Sequence, residues 1–258
     1  MPCYDTDLTD SQWEYIKPFV NPERKRKYCL RNIINALLYL EKTGCQWRML
    51  PRDFPKWNAV YRYFEIWIRN KLWIRLKEHL HEQFREEQQH HRCPSLAIVD
   101  SQSVKTTFIG GGYRGVDGNK KIKGRKRHLL VDVFGIVLAV LITSANMSDD
   151  TAFLHLLIKI RNQYPRLEVI LGDLGYENGV LQKVSERDFG IELRITKRFE
   201  QKFIVEPKRW IVERTIAWIN QDRRLIQDYE RTIETSETMI MIGMTRKLLN
   251  KVRFNLNS

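Results

Sequence analysis

Apolar residues recur at helical spacing through roughly the first ninety positions, then shift to short runs and alternation. Residues 12–20 read as a first helix, with Asp10 or Ser11 as its cap and Pro18 disturbing its last turn. Ile33, Ile34, Leu37, Leu38 and Leu40 keep one face apolar across 30–43, and Gly44 supplies a stop. Pro51 and Pro55 mark a loop. Asn58 then caps a helix over 59–70 carrying Tyr61, Tyr63, Phe64 and Trp67, and a further helix covers 72–88. The polar stretch 86–92 reads as a linker.

From Ser95 the texture is that of strands. Residues 96–100 form a short buried strand ending at Asp100. Residues 125–134 and 136–143 form two more, joined as a hairpin through Gly135. A helix over 149–162, a strand over 167–171, a helix over 177–188, a strand over 191–196 and helices over 207–225 and 235–252 follow. The order β-β-β-α-β-α-β-α predicts a mixed five-stranded sheet with helices on both faces, an α/β class. It is the order of ribonuclease-H-like nucleases. The expected organisation is a small all-helical domain with linker over 1–92 and this catalytic fold over 93–258.

Composition narrows the partners. Of 258 residues, 43% are hydrophobic and 29% charged, which excludes wholesale disorder. Lys and Arg number 44 against 31 acids, a formal charge of +13 that points to nucleic acid or an anionic membrane surface. The longest apolar stretch, 129–142, is broken by Asp132 and Gly135 and is short of the roughly 20 residues a spanning helix needs. The acidic N-terminus lacks the apolar segment of a signal peptide, so a cytoplasmic, nucleoid-associated protein is expected. Cys3, Cys29, Cys45 and Cys93 lie far apart with no C-x-x-C pair, which reads as reduced thiols.

Two carboxylates sit at strand ends, where open α/β sheets gather their ligand sites: Asp100, and Asp173 after Val169-Ile170-Leu171-Gly172. Either alone reads equally well as a turn former or cap. A third, Glu213, shares a helical stripe about 90° wide with Arg209, Ile216, Asn220 and Arg224. An ordinary Arg209–Glu213 ion pair is the plain alternative. Three converging carboxylates suit one or two magnesium ions and in-line phosphoryl displacement. Between the first two strands, Arg114, Lys120, Lys121, Lys123, Arg125, Lys126 and Arg127 accompany one acid, Asp117, and several glycines. They read as a loop that tracks a DNA backbone, or as a solvated loop. The glycines do not spell a P-loop. The helix from Asn58, with Tyr61, Arg62 and Arg69, reads as a helix-turn-helix-like DNA reader, or its neighbouring tryptophans as a small core.

Several motifs, in order, resemble bacterial insertion-sequence transposases of the DDE type, the IS-five group. They are Thr43-Gly44-Cys45-Gln46-Trp47-Arg48-Met49-Leu50-Pro51-Arg52-Asp53-Phe54-Pro55, Val99-Asp100-Ser101-Gln102-Ser103-Val104-Lys105-Thr106 and Lys123-Gly124-Arg125-Lys126-Arg127-His128. Gly172-Asp173-Leu174-Gly175-Tyr176, Arg209-Trp210-Ile211-Val212-Glu213-Arg214-Thr215 and Asp228-Tyr229-Glu230-Arg231 complete the set. The resemblance covers nearly the whole chain. It implies Asp100, Asp173 and Glu213 as catalytic metal ligands for two Mg2+, with Mn2+ as a substitute, and Arg209 beside them. It implies binding of terminal inverted repeats, cleavage at the element ends and joining of 3′-hydroxyls to target DNA by a homodimer or larger assembly. Lys105, Lys120, Lys121, Lys123, Arg125, Lys126, Arg127, Arg62, Arg223 and Arg224 are the expected DNA contacts. The family signature Tyr-x2-Arg-x3-Glu-x6-Lys is incomplete, because its Tyr and Lys places hold Glu206 and Asn220. A structure-directed nuclease on this fold and a non-catalytic DNA-binding derivative are the alternatives.

Overall fold

A computed structural model describes residues 4–20, 27–108, 111–196 and 208–254. Glu206 and the basic residues 24–26 lie outside them. The chain forms two compact units. The first comprises the described parts of Met1–His90, Gln221–Ile226 and Thr238–Ser258; the second comprises His91–Asn220 and Gln227–Glu237. A single boundary near residue 92 therefore leaves out two later segments that pack with the N-terminal helices.

The first unit contains α1 (Asp10–Val20), α2 (Leu30–Thr43), α3 (Trp57–Arg69) and α4 (Leu72–Glu87), with most of a later helix that starts at Ile233 and ends at Leu249. Helix α2 stops at Gly44, whose φ of +68° lets its N–H reach Leu40 O at 2.9 Å. The apolar stripe of α2 is fully buried through Ile33, Ile34, Leu37 and Leu40. Aromatic packing builds the rest: Trp47 meets Tyr61 at 5.0 Å and Phe64 at 5.4 Å, and Trp67 meets Trp73 at 6.2 Å. Trp67 and Trp73 thus belong to a packed interior with the half-buried Trp47 at its margin, whereas Trp57 is 38% exposed beneath the Arg48 guanidinium. Asn58 lies inside the first turn of α3 rather than capping it.

A buried charge cluster joins the separated segments of this unit. Glu41 and Asp222 are both fully buried. Arg246 donates to Glu41 at 3.0 Å and also to Asp222, and Lys42 donates to Asp222 at 3.1 Å. Burial, and then the adjacent Asp222 carboxylate, pushes the Glu41 pKa up to about 8. Gly243 leaves the space they need, since a Cβ there would sit 2.6 Å from Glu41 Oε1.

The second unit is a six-stranded mixed sheet. Its strands are β1 (Leu96–Lys105), β2 (Gly115–Asp117), β3 (Ile122–Asp132), β4 (Val137–Ser144), β5 (Val169–Gly172) and β6 (Glu192–Ile195). The order is β2-β3-β1-β5-β6, with β4 also on β3. Strand β1 runs antiparallel to β3 and parallel to β5, which is parallel to β6. Helices α5 (Asp149–Ile160) and α6 (Gly179–Phe189) cover one face, around Ala97, Val99, Leu130, Phe153, Leu157, Ile170 and Leu193. Helix α7 (Trp210–Asn220) packs on β1 and β3, and α8 (Ile233–Leu249) follows. Antiparallel β1, β3 and β4 followed by parallel β5 and β6 give the ribonuclease-H-like topology.

Three local differences from the sequence reading have physical causes. Strand β1 does not end at Asp100, because β3 keeps pairing with it as far as Lys105. A sixth strand, β2, is hidden in the glycine-rich stretch, where three residues pair with 122–124 of β3. Helix α7 ends at Asn220 rather than 225, since Asp222 turns into the charge cluster and a 3-10 turn, Arg223–Leu225, follows.

Glu41 carries a stability signature. Its folded pKa lies above its ordinary 4.5, so the folded state retains a proton that the unfolded chain has lost. Its favourable contribution is complete below about pH 4.5 and is lost as pH rises through about 8. Relative to wild type, Glu41→Gln should therefore gain thermal stability at pH 8 compared with pH 5. Denaturation midpoints at the two pH values check this, and a pH-independent difference would contradict it.

Candidate active site

The site begins where β1 changes its company. Its pairing with β5 spans only Leu96–Val169, Ala97–Ile170 and Ile98–Leu171. Two residues further on each chain, Asp100 and Asp173 come opposite one another, just beyond the last pair. Side chains alternate along a strand, and Ala97 and Val99 lie in the core beneath α5 and α6. Asp100 and Gln102 therefore face the other side, where α7 packs. Gln102 Nε2 indeed donates to Asn220 Oδ1 at 3.0 Å, at the end of α7.

Asp100 is half-buried and accepts from the Ser101 amide at 2.7 Å. Burial pushes its pKa up to about 6; the Ser101 amide opposes the rise, the Asp173 charge adds to it, and Lys120 and Arg209 offset it. Asp173 leaves β5 in extended conformation and accepts from Gly175 N at 2.9 Å. Glu213 lies in the first turn of α7, 57% exposed, with Arg209 Nη2 3.6 Å from its carboxylate.

Helix α7 is fixed by the β3–β4 turn. Thr215 donates to Gly135 O at 2.8 Å and Arg214 to Phe134 O at 3.1 Å. The Arg214 guanidinium lies 4.5 Å from the Trp210 ring and 4.6 Å from Trp218. Gly135 has φ +82°, and a Cβ there would stand 2.7 Å from Thr215 Oγ1. This glycine both turns the hairpin and admits the helix.

Two groups that the sequence reading missed border the site. Asp149, at the start of α5, lies 3.4 Å from Lys126 Nζ and 3.5 Å from the buried His128 ring. Burial, then the charges of Asp149, Asp100 and Asp173, raises the Tyr176 pKa well above its ordinary value. Nothing in the sequence marked Asp149, which looked like a helix-start acid. Tyr176 was visible only as the end of the Gly172–Tyr176 motif.

The expected DNA contacts separate into two groups. Lys105, Lys120, Lys121, Lys123, Arg62 and Arg223 are exposed. Arg125, Lys126, Arg127 and Arg224 are buried, which contradicts their expected place on a DNA-tracking surface. Arg125 is paired with Asp228 at 3.2 Å and donates to the Glu230, Arg231 and Gly112 carbonyls. Lys126 donates to Met147 O at 2.9 Å, and Arg127 to Gln102 at 3.4 Å. Burial lowers the Arg127 pKa to about 10. Arg224 donates to Cys45 O at 3.4 Å. In each case the residue binds groups of its own unit.

The donor set at Asp100 and Asp173 suits a hard divalent cation, because two carboxylates meet at a partly desolvated strand end. Glu213 completes an all-oxygen set by chemistry but is engaged by Arg209. Among the described residues, no three His, Cys, Asp or Glu side chains gather closely enough to hold one ion.

Residues 91–245 match the family described as "Transposase DDE domain". The chain belongs to the DDE transposase family. Residues 8–77 match a second family, described as "Putative transposase of IS4/5 family". A Burkholderia cepacia protein named "Putative transposase for insertion sequence element IS402" is 33% identical over 138 residues, 50% of this chain and 65% of the relative. The Sinorhizobium fredii "Uncharacterized protein y4sN" is 37% identical over 65 residues, 24% of this chain and 52% of the relative. The chain thus spans just under two thirds and about half of these relatives' lengths. The crystal structure of the Mos1 strand transfer complex aligns over 90% of this chain and 80% of that one, at 10% identity. Its TM-score is 0.31.

The raised pKa of Asp100 exceeds its ordinary 3.8, so the ionised carboxylate costs folding stability above about pH 6. That cost disappears as pH falls toward 3.8, where both states bind the proton. In metal-free protein, Asp100→Asn should therefore be more stable than wild type at pH 8, by about 1–3 kcal/mol. The gain should vanish near pH 4. Urea denaturation in chelator at both pH values checks it, and a variant less stable at pH 8 would sink the desolvation argument.

Proposed function

We propose that this DDE-family chain is a DNA transposase, with Asp100, Asp173 and Glu213 as its catalytic carboxylates. It binds double-stranded DNA at terminal inverted repeats, frees the 3′ ends by hydrolysis and joins those 3′-hydroxyls to target DNA as a homodimer or larger assembly. One observation carries the reading: the β1–β5 register sets Asp100 and Asp173 side by side beyond their last pair, on the face that α7 covers.

Two Mg2+ ions, with Mn2+ as a substitute, would supply activation of the attacking oxygen and stabilisation of the leaving one. Asp100 and Asp173 would hold them, with Glu213 as the third ligand. Arg209 steadies the Glu213 carboxylate and sets a positive charge beside Asp100. The half-buried position of Asp100 restricts water at the reacting phosphate. Exposed Lys105, Lys121 and Lys123 on the sheet unit, and Arg62 and Arg223 on the helical unit, offer sequence-independent backbone contacts. No helix among the described residues is long and apolar enough to cross a membrane, and the cationic surface is assigned to DNA.

Asp100→Asn, Asp173→Asn and Glu213→Gln should each abolish cleavage of duplexes bearing the element's terminal sequence while DNA affinity stays within a few fold. A variant that still cuts at near wild-type rate in Mg2+ removes that residue from the set. Joining of cleaved ends to a target plasmid separates a transposase from a nuclease. Replacing Lys105, Lys121 and Lys123 with Gln should flatten the slope of log K against log salt by about 0.9 for each phosphate no longer neutralised. Arg125→Gln should instead lower thermal stability, because it leaves Asp228 buried without its ion-pair partner.

A further inference from the structure

We propose that Lys120 is the cation that takes the reacting phosphate at the carboxylate site, and that Asp117 and Ser103 aim it there. The proposal rests on the reading of Asp100 and Asp173 as the site of DNA cleavage.

Lys120 occupies the turn between β2 and β3. That turn is built, not loose. Asp117 is 6% exposed, and its Oδ1 accepts from the Asn119 and Lys120 amides at 3.0 Å each. Its other oxygen accepts from Ser103 Oγ at 2.5 Å. Ser103 stands on β1, the strand that carries Asp100. Lys121, with φ +53°, completes the reversal into β3. The turn is therefore pinned to the active strand by a buried carboxylate that spends both oxygens on the task.

The side chain then reaches back. Lys120 Nζ donates to Ser101 O at 3.3 Å, one residue from Asp100, and its charge is felt at the Asp100 carboxylate. An ammonium has three donors, so one carbonyl leaves capacity for an anion's oxygens. The other cations nearby are engaged elsewhere. Arg209, the second cation whose charge reaches Asp100, pairs with Glu213, while Arg125 and Lys126 are buried on their own acids. The end of α7 presents Asn220, an uncharged residue bound to Gln102.

Two carboxylates facing a phosphodiester repel it. A fixed positive charge from a rigid turn offsets that repulsion, and does so most strongly as negative charge builds on the phosphoryl oxygens. A long flexible lysine held at its base, with donors to spare beyond the one given to Ser101 O, suits a phosphate that shifts between hydrolysis and joining.

The test uses the full chain and duplexes of the element's terminal sequence, native or with a neutral methylphosphonate at the scissile position. Lys120→Gln should cut the single-turnover cleavage rate by about 100-fold or more, and Lys120→Arg should restore it to within about tenfold of wild type. With Ca2+ in place of Mg2+, wild type should bind the neutral-linkage duplex about tenfold more weakly than the native one. In Lys120→Gln that difference should shrink, only the share due to the bound cations remaining. Lys123→Gln should weaken both duplexes equally. The rise in thermal midpoint with Mn2+ should be undiminished in Lys120→Gln, since removing a nearby positive charge does not weaken cation binding.

Three outcomes would overturn the proposal: a cleavage rate within threefold of wild type, a neutral-linkage difference undiminished in Lys120→Gln, or loss of the Mn2+ response. Cleavage by Asp100→Asn would instead overturn the underlying site. Failure of Lys120→Gln to behave as expected, with Asp100→Asn inactive, would overturn the Lys120 assignment alone.

Discussion

The candidate site depends on the unequal partnership of one strand. Strand β1 pairs with β3 from Ala97 to Lys105 but with β5 only from Leu96 to Ile98. Past Ile98 one edge of β1 stays bonded to β3, and the other meets no strand until Asp228 bridges Thr106 near the end of β1. The open edge gives Asp100 a rigid backbone and a side with no neighbouring strand. Parallel pairing fixes register without a hairpin, so apolar residues on β1 and β5 must hold it. Ala97, Val99 and Ile170 do so in the core beneath α5 and α6. A slip of one residue between β1 and β5 would turn Asp173 to the opposite face from Asp100.

That arrangement costs stability and gains chemistry. Half-buried Asp100 carries a raised pKa because solvent is partly removed and Asp173 is near. Proteins retain such unfavourable charges where a bound cation or substrate relieves them. The helix opposite is held without touching the carboxylates. Thr215 and Arg214 bind the carbonyls of the β3–β4 turn, and Asn220 meets Gln102. The middle and the C-terminal end of α7 are thus tied to the strands that frame the site, while Glu213 remains exposed.

The basic character of the chain serves two purposes. Part of it is surface charge of the kind that polyphosphate attracts. Another part is internal architecture: Arg125 binds Asp228 and three backbone carbonyls, and Arg246 bridges Glu41 and Asp222. Arginine suits these places because its planar fork satisfies several acceptors at once and stays charged when buried. Removing one member of such a pair leaves an uncompensated charge, which costs about 3–5 kcal/mol. Sequence segments distant from one another are fastened by these interactions within each unit. Gln221–Ile226 joins the N-terminal helices largely through Asp222.

Local pattern was enough to define the helices with clear apolar stripes and good stops, such as α2 ending at Gly44, and the alternation of strand and helix that sets the fold class. It also marked Asp100, Asp173 and Glu213 as candidate chemistry, because hydrophobic periodicity and strand-end position are local properties. What each charge faces was settled by the folded chain. Nothing local distinguishes Lys123, on the surface, from Arg125, sealed beneath Asp228 over a hundred residues away. Nothing local extends β1 beyond Asp100, since the bonds that do so come from β3. The same holds for β2, too short to declare itself without its partner strand, and for Lys120, whose direction is set by Asp117 and Ser103. Periodicity reports which residues avoid water, but pairing partners that lie far apart in the chain are fixed only when the chain closes on itself.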